Sequence, residues 1–372
     1  LPRFTAALAP WRVIRKEGVS LLEKQIVAVF MGGRASEHDI SLKTGTVVVN
    51  SLDRTRYTVY PVQLCRDGGW IIPAEPFSGN TPWSPFDEAA GTVAIETALR
   101  ELRRISPDVA FIALHGRFGE DGCVQGLLEL LDIPYTGSDV MSSALAMDKV
   151  RSKQIVAYHG IRTPRWIVVQ EQEWKMRRSE VVMRVAREFR FPCVAKVPEE
   201  GSSFGMGIPK NEVELEKVMD ESIAARGHMM VEEYISGTEI TCAVLGGFPG
   251  EAPVALPLTE IIPKNSAYFD FEAKYTPGAS EEITPARLDP EITALAQDIG
   301  VRSHIALGCG GMSRTDMIVR DREVFYLETN TIPGMTETSL YPQAARAMGM
   351  DFRDLLTRQV ELAIAYHQRK RM

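Results

Sequence analysis

Residues 25–38 read QIVAVFMGGRASEH. After Gln25 the run is apolar and rich in β-branched side chains, without the alternation of a half-solvated strand, so it suits a strand buried on both faces. Gly32-Gly33 breaks the run, and Ser36 or Asp39 can cap a helix that continues through Val49. Outward from this stretch, Tyr57–Leu64 reads as a second strand and Ile95–Arg104 as a helix. Val109–Leu114 (VAFIAL) is another buried strand ending at His115-Gly116, and a helix follows near Gly122–Leu131. Strands alternating with helices at this spacing predict a parallel sheet covered on both faces. Residues 25–145 are therefore expected to form a Rossmann-like α/β domain.

From Asp148 the pattern becomes α+β. Lys149–His159 reads as a polar helix, Trp166–Val169 as a strand, Ser179–Phe189 as a helix and Cys193–Val197 as a strand. A glycine-rich segment, an amphipathic helix over Asn211–Ala225 and the strand Met229–Ile235 complete a second block, 146–240. The third block, 241–372, follows on from the strand Glu239–Leu245 and carries a polar, aromatic loop over 264–280. It continues with a helix over Asp289–Leu307, strands at Gly311–Arg320 and Glu323–Glu328, and C-terminal helices. Loops as long as 264–280 inside compact domains are usually lids or binding loops. Residues 1–24 read as an extension; Pro10 and the basic Arg12, Arg15 and Lys16 interrupt what a signal peptide would need. The alternative is a helical arm packed on the body.

The chain has 372 residues, 45% of them hydrophobic and 24% charged, enough for two or three domains with sizeable cores. Its 42 Lys+Arg against 49 Asp+Glu give a net charge of -7, which argues against a nucleic-acid-binding field. No apolar run approaches the roughly 18–20 residues that span a bilayer. The 5 cysteines are scattered, without a CxxC pair, and read as buried thiols in a reducing compartment.

Four groups of residues carry candidate chemistry. In Pro198–Gly207 (PEEGSSFGMG), small residues let backbone N–H groups approach phosphate oxygens, Ser202 and Ser203 add donors, and Lys196 supplies a charge; the alternative is a solvated hairpin. Arg314 and Asp316 share one strand face by the period of two, as do Glu328 and Asn330 on the next strand. Two carboxylates and an amide carbonyl suit Mg²⁺ beside nucleotide phosphates, and Arg314 can neutralise charge on a transferred phosphoryl group; the alternative is a cross-strand salt bridge. Glu37, after the Gly32-Gly33 turn, can hold an ammonium group or cap a helix dipole. The turn lacks GxGxxG spacing, which weakens a dinucleotide site. Lys274 and Tyr275 close the run YFDFEAKY (268–275), where a lysine could reach a γ-phosphate while the loop excludes water; the alternative is a loop merely anchored by its aromatics.

Together these stretches resemble the D-alanine–D-alanine ligase family of the ATP-grasp superfamily. The resemblance rests on GGRASEHDISL (32–42), LHGRFGEDGCVQGLLELLDIPYTGS (114–138), SALAMDKVRSK (143–153) and EGSSFGMG (200–207). It continues through VEEYISGTEITCAVLGG (231–247), FDFEAKY (269–275), RTDM (314–317) and LETNTIPGMTETSLYP (327–342). It covers the chain from about residue 25 onward and implies an ATP-grasp fold behind a Rossmann-like N-terminal domain. The activity it implies joins two D-alanines: ATP phosphorylates one carboxylate, and the amine of the second D-alanine attacks the acyl phosphate through a tetrahedral intermediate. The cofactor set it implies is ATP as co-substrate with two Mg²⁺ ions, for which Mn²⁺ can substitute.

By the same resemblance, Glu37 binds the ammonium of the first D-alanine, Ser202 links Glu37 to Tyr275, and His115 lies near the first substrate, though a satisfied sheet-edge histidine is the alternative there. Lys274 meets the γ-phosphate, and Arg314 with the Gly334 backbone forms the oxyanion site. Ser339 and the Leu340 backbone hold the second carboxylate. Lys149 and Lys196 meet the α- and β-phosphates, with Ser202 and Ser203 close to them. Glu232, Glu233, Tyr234 and Ile235 face the adenine and Glu239 the ribose, while Asp316, Glu328 and Asn330 are the Mg²⁺ ligands. A cytoplasmic homodimer serving peptidoglycan precursor synthesis is expected, with no nucleic-acid partner and no membrane insertion. Phe269 and Phe271 stand where relatives often have tyrosines. Tyr275 is retained, whereas relatives that make D-alanyl-D-lactate tend to depart from tyrosine there, which favours dipeptide synthesis. Rival readings are another carboxylate–amine ligase, a nicotinamide oxidoreductase using Gly32-Gly33, and a catalytically silent nucleotide-binding protein.

Overall fold

The computed structural model describes residues 24–201, 205–264 and 279–371. Strand β1 (Gln25–Gly32) lies between β2 (Tyr57–Leu64) and β4 (Val109–Ile112), parallel to both, and the short β3 (Trp70–Ile71) adds antiparallel to β2. Val27, Val29 and Met31 bury into one core with Val48 and Val49 of α1 (His38–Ser51). Ala28 and Phe30 bury into another, with Leu102 of α2 (Ile95–Ile105) and Leu128 of α3 (Cys123–Leu130). Both faces of β1 are therefore covered, which is why its sequence does not alternate. Gly32 then turns the chain at φ 86°, where a Cβ would stand 2.2 Å from the Leu64 carbonyl oxygen. Only glycine fits that turn, and it places the start of α1 at the C-terminal edge of the parallel strands.

The second sheet is antiparallel, ordered β5-β7-β6, from β5 (Trp166–Gln170), β6 (Cys193–Lys196) and β7 (His228–Glu233). With α6 (Glu171–Glu188) and α7 (Glu212–Arg226) it encloses a core of its own around Trp174, Val185 and Met229. Helix α6 starts at Glu171, not at Ser179 as the sequence suggests. Its first turns are polar except for the exposed Met176 and the buried Trp174, whose indole N–H donates to Asp220 Oδ1 at 2.8 Å, and Arg177 departs from helical geometry (φ -136°, ψ 35°). A single buried anchor and a kink leave no helical period to read there.

The third sheet runs β11-β10-β8-β12-β13, with β9 also on β8. Its strands are β8 (Thr238–Leu245), β9 (Val254–Ala255), β10 (Thr259–Pro263), β11 (Ser280–Ile283), β12 (Met312–Arg320) and β13 (Glu323–Asn330). Helix α8 (Pro290–Ala306) packs on it, as do α4 (Val140–Met147) and α5 (Lys149–Tyr158), whose Ala146 and Val156 share a core with Ile240, Met317 and Tyr326. The sequence reading grouped α5 with the second block; its apolar side packs against the third sheet instead. Helices α9 (Leu340–Ala347) and α10 (Phe352–Lys370) return to the first block, where Tyr341, Leu355 and Val360 meet Val27, Val29 and Leu245 in one continuous core. The first and third blocks thus form one packed body, and the second block's sheet has a separate core.

Candidate active site

A cleft of about 460 Å³ opens where α1, the loop after β4, α5 and the end of β13 converge. Glu37 precedes α1, is 3% exposed, and does not cap that helix through its side chain. Its Oε2 accepts from Ser36 Oγ at 2.8 Å. A Cβ on Gly116 would stand 2.4 Å from Oε2, and one on Gly201 would stand 2.6 Å from Oε1. The carboxylate is thus wedged between two positions that only glycine leaves open, and it lines the cleft, which favours the ammonium reading over helix capping.

His115 is buried beside it. Its Nδ1–H donates to the Ile332 carbonyl at 3.1 Å, so in the neutral ring Nε2 accepts from Thr44 Oγ1 at 2.8 Å. Burial pulls this imidazole down to about 4, which keeps it neutral with a fixed tautomer. Glu120, which the sequence reading did not single out, accepts from Gly116 N–H at 2.8 Å and from Ile332 N–H at 3.2 Å. Burial pushes its carboxyl up to about 7. It ties the loop after β4 to the loop after β13. Its signal was an acid set between glycines in HGRFGEDG, whose partner at Ile332 only the fold supplies.

The expected oxygen cluster is present. Asp316 on β12 stands directly opposite Glu328 on β13, and Arg314 opposite Asn330. Asp316 accepts two hydrogen bonds from Arg314, at 2.9 and 2.8 Å, one from Thr241 Oγ1 at 2.7 Å and one from Asn330 Nδ2 at 3.2 Å. Arg314 thus pairs along its own strand with Asp316. Lys149 Nζ lies 3.0 Å from Glu328 Oε2 and donates to the Glu200 carbonyl at 2.7 Å. Among the described residues no group of three or more His, Cys, Asp or Glu could hold a metal. Two carboxylates and an amide whose N–H already serves Asp316 make a partial oxygen set. That donor set fits Mg²⁺, which keeps waters and phosphate oxygens in its shell.

Gly334 and Ser339 line the same cleft: a Cβ on Gly334 would stand 2.9 Å from Ser339 Oγ, and that hydroxyl also meets Thr336 Oγ1 at 2.7 Å. Ser339 begins α9 without capping it through its side chain, so the helix N-terminus starting at Leu340 offers backbone donors to a carboxylate.

A smaller hollow, about 110 Å³, adjoins the cleft and shares Lys149 and Glu328 with it. Lys196, Glu232, Glu233, Tyr234, Ile235, Glu239 and Asp316 also line it. Glu232 is 2% exposed and lies between two lysines, with Oε1 2.6 Å from Lys196 Nζ and Oε2 2.9 Å from Lys153 Nζ. Burial pushes the Glu232 carboxyl up, but the two lysines outweigh it and hold the group below the ordinary carboxylate range, while burial pulls Lys153 down to about 8. Lys153 was also missed; it closes the quoted run SALAMDKVRSK one helical turn after Lys149. Ser202, Ser203, Lys274 and Tyr275, with Phe269 and Phe271, lie outside the described residues, as does most of the 264–280 loop and nearly all of the 1–24 extension.

The chain matches the family profile for the D-ala D-ala ligase N-terminus over residues 26–138 and that for the D-ala D-ala ligase C-terminus over residues 155–361. It is 41% identical to a D-alanine–D-alanine ligase of Pelotomaculum thermopropionicum, over 91% of this chain and 96% of that one. The D-alanine–D-alanine ligase of Coxiella burnetii has a similar structure, with a TM-score of 0.77 at 32% identity over 94% of this chain and 96% of that chain. The Bacillus anthracis D-alanine–D-alanine ligase, solved in complex with ATP, superposes with a TM-score of 0.71 at 30% identity, over 93% of this chain and 99% of that chain. A buried carboxylate in the cleft, an Arg–Asp–Glu–Asn cluster across two paired strands and these matches over both blocks lead to one conclusion: the chain belongs to the D-alanine–D-alanine ligase family.

Proposed function

We propose that this chain uses ATP to join two D-alanines into D-alanyl-D-alanine through a D-alanyl phosphate, releasing ADP and phosphate. The observation that carries the reading is one cleft lined both by Glu37 and by the Ser339–Leu340 helix start. Arg314, Glu328 and Asn330 line the same cleft, and Lys149 and Glu328 are shared with the adjoining hollow. Such a cleft suits two small zwitterions laid head to tail.

Glu37 pairs with the first ammonium and directs that substrate's carboxylate toward the nucleotide. A carboxylate oxygen attacks the γ-phosphorus, the bond to the β-phosphate oxygen breaks, and ADP forms. Lys149 and Lys196 hold the α- and β-phosphates, Glu232 to Ile235 face the adenine, Glu239 faces the ribose, and Lys274 meets the γ-phosphate. Magnesium ions, when held by Asp316, Glu328 and Asn330, spread the phosphate charge, and manganese can replace them. Ser339 and the Leu340 N–H hold the second carboxylate, and the second amine, its ammonium proton lost to solvent, attacks the acyl carbon and passes a further proton to the departing phosphate as the amide forms. The oxyanion that develops faces Arg314 and the Gly334 N–H. The C–O bond to phosphate then breaks and the peptide bond remains. A hydrogen-bonded link from Glu37 through Ser202 to Tyr275 holds the 264–280 loop over the site and keeps water from the acyl phosphate.

In the same proposal the enzyme is a cytoplasmic homodimer supplying peptidoglycan precursors. The cysteines Cys65, Cys123, Cys193, Cys242 and Cys309 are all free, in keeping with a reducing compartment, and among the described residues no helix is long and apolar enough to cross a membrane.

Phosphate release from ATP and magnesium, with D-alanine, L-alanine or D-lactate supplied and products identified by mass, tests the reading. Release with D-alanine alone, giving the dipeptide, is expected. Efficient ester formation from D-alanine and D-lactate would overturn the dipeptide assignment drawn from Tyr275, and no turnover with D-alanine would overturn the ligase.

A further inference from the structure

Lys149 and Lys153 stand one turn apart on the same side of α5. Lys149 lines the nucleotide hollow, whereas Lys153 is 0% exposed and has no surface there. Lys153 Nζ lies 2.9 Å from Glu232 Oε2 and 3.5 Å from the Tyr326 carbonyl oxygen, buried behind the carboxylate that lines the hollow. Lys196, which does line the hollow, lies 2.6 Å from the other oxygen, Oε1. One buried carboxylate therefore has two cations, each on its own oxygen, and only one of them can be reached by a nucleotide.

A lysine that is the sole counter-charge of a fully buried carboxylate is not free to move onto a phosphate, unlike Lys149, whose partner Glu328 is only partly buried. Withdrawing such a lysine would leave a carboxylate buried without a counter-charge, among the costliest arrangements in a protein interior. We propose that Lys153 is a positioning residue whose task is to keep Glu232 compensated, so that Lys196 can exchange between Glu232 and the phosphates of an incoming nucleotide. With Lys153 in place the trio carries one surplus positive charge, and Lys196 leaves behind a neutral Lys153–Glu232 pair. Without Lys153, nucleotide binding competes with a closed Lys196–Glu232 pair. The inference rests on the proposed role of Lys196 at the phosphates.

The rival account makes Lys153 only a bolt between α5 and β7. A bolt would matter for stability and leave nucleotide affinity alone, and neutralising Glu232 would not repair its loss. The test titrates the full chain with magnesium–ADP by calorimetry, alongside magnesium–tripolyphosphate, which has no base for Glu232 to touch. Thermal melts confirm that each variant is folded. Lys153→Met is expected to weaken both ligands about tenfold or more. The double variant Lys153→Met, Glu232→Gln, in which Lys196 faces only a neutral amide, is expected to bind tripolyphosphate within about threefold of the parent. Lys153→Met binding like the parent while Lys196→Met binds weakly would overturn the inference alone. A double variant no better than Lys153→Met would do the same. Parent-like binding by Lys196→Met would remove the reading beneath it as well.

Should Lys153→Met fail to fold, the ammonium resonances of the parent chain answer the question, assigned by Lys→Arg substitution. Addition of ADP is expected to move the Lys196 signal and leave that of Lys153 in place. Movement of the Lys153 signal with Lys196 unchanged would contradict it.

Discussion

The cleft and the smaller hollow that adjoins it handle charge in opposite ways. At the hollow, charges are kept and paired inside the protein: Glu232 lies between Lys153 and Lys196, and Lys149 lies on Glu328. In the cleft, where the first amino acid is proposed to sit, burial works against charge: His115 is held neutral, and Glu120 is raised to about 7. Between them Arg314 is paired with Asp316. The contrast follows from the ligands. A polyphosphate brings several negative charges and needs mobile cations, whereas a small zwitterion needs one fixed carboxylate, the role proposed for Glu37, in an otherwise quiet wall.

The comparison can be broken most severely at its junction. Replacing Arg314 with methionine removes the oxyanion cation and leaves Asp316 without its guanidinium, and kcat is expected to fall about 10²–10³-fold in a phosphate-release assay. Arg314→Lys should recover little, because an ammonium cannot reproduce the two-bond contact with Asp316. Next in size is Glu37→Gln. Loss of a charged partner for the first ammonium, about 1.5–3 kcal/mol, should lower kcat/KM for D-alanine about ten- to a hundredfold while the affinity for ADP stays put. An equal loss of ADP affinity would show that the cleft and the hollow are not separate.

The neutral wall gives a stability prediction. His115 and His304 both have folded-state values depressed from 6.5 to about 4 by burial, so the stability they confer is complete above pH 6.5 and is lost as pH falls through 4. Melting temperatures across that window should drop less steeply in His304→Gln, whose buried ring pairs with Ser313 Oγ at 2.7 Å and lines neither cavity, and in His115→Gln. The smallest expected effect is at Glu120. Its folded value is raised, so its contribution is complete below pH 4.5 and declines as pH rises through 7. Glu120→Gln should flatten the dependence of stability on pH between those values and lower kcat/KM for D-alanine a fewfold through the loosened Gly116–Ile332 tie. An unchanged pH dependence would show that this carboxyl is not held as the structure describes.

Much of the architecture was legible in residues. β1 declared itself because both its faces are buried, and the Arg314–Asp316 and Glu328–Asn330 spacings gave two strand faces that the register places opposite each other. β10 and β11 were not seen: the first is five residues ending in Pro263, and the second, Ser280–Ile283, carries two adjacent acids. Neither has enough length or alternation to show a period. The start of α6 was hidden by its polar first turns. Within the site, local spacing singled out Glu37 and the oxygen cluster but left helix capping and a cross-strand salt bridge open, and the family resemblance favoured the ligand roles. Glu120 and Lys153 did not stand out, because each acquires its role from a partner on another element, Ile332 for one and Glu232 for the other. A long-range partner leaves no local mark in a sequence.

The central claim is that the carboxylate of the first D-alanine is phosphorylated before the peptide bond forms. Turnover of D-alanine labelled with oxygen-18 in its carboxylate, with mass analysis of the released phosphate, tests it directly. One labelled oxygen is predicted in each phosphate, carried over when the acyl phosphate breaks at its C–O bond. Phosphate released without label alongside newly formed dipeptide would contradict the mechanism.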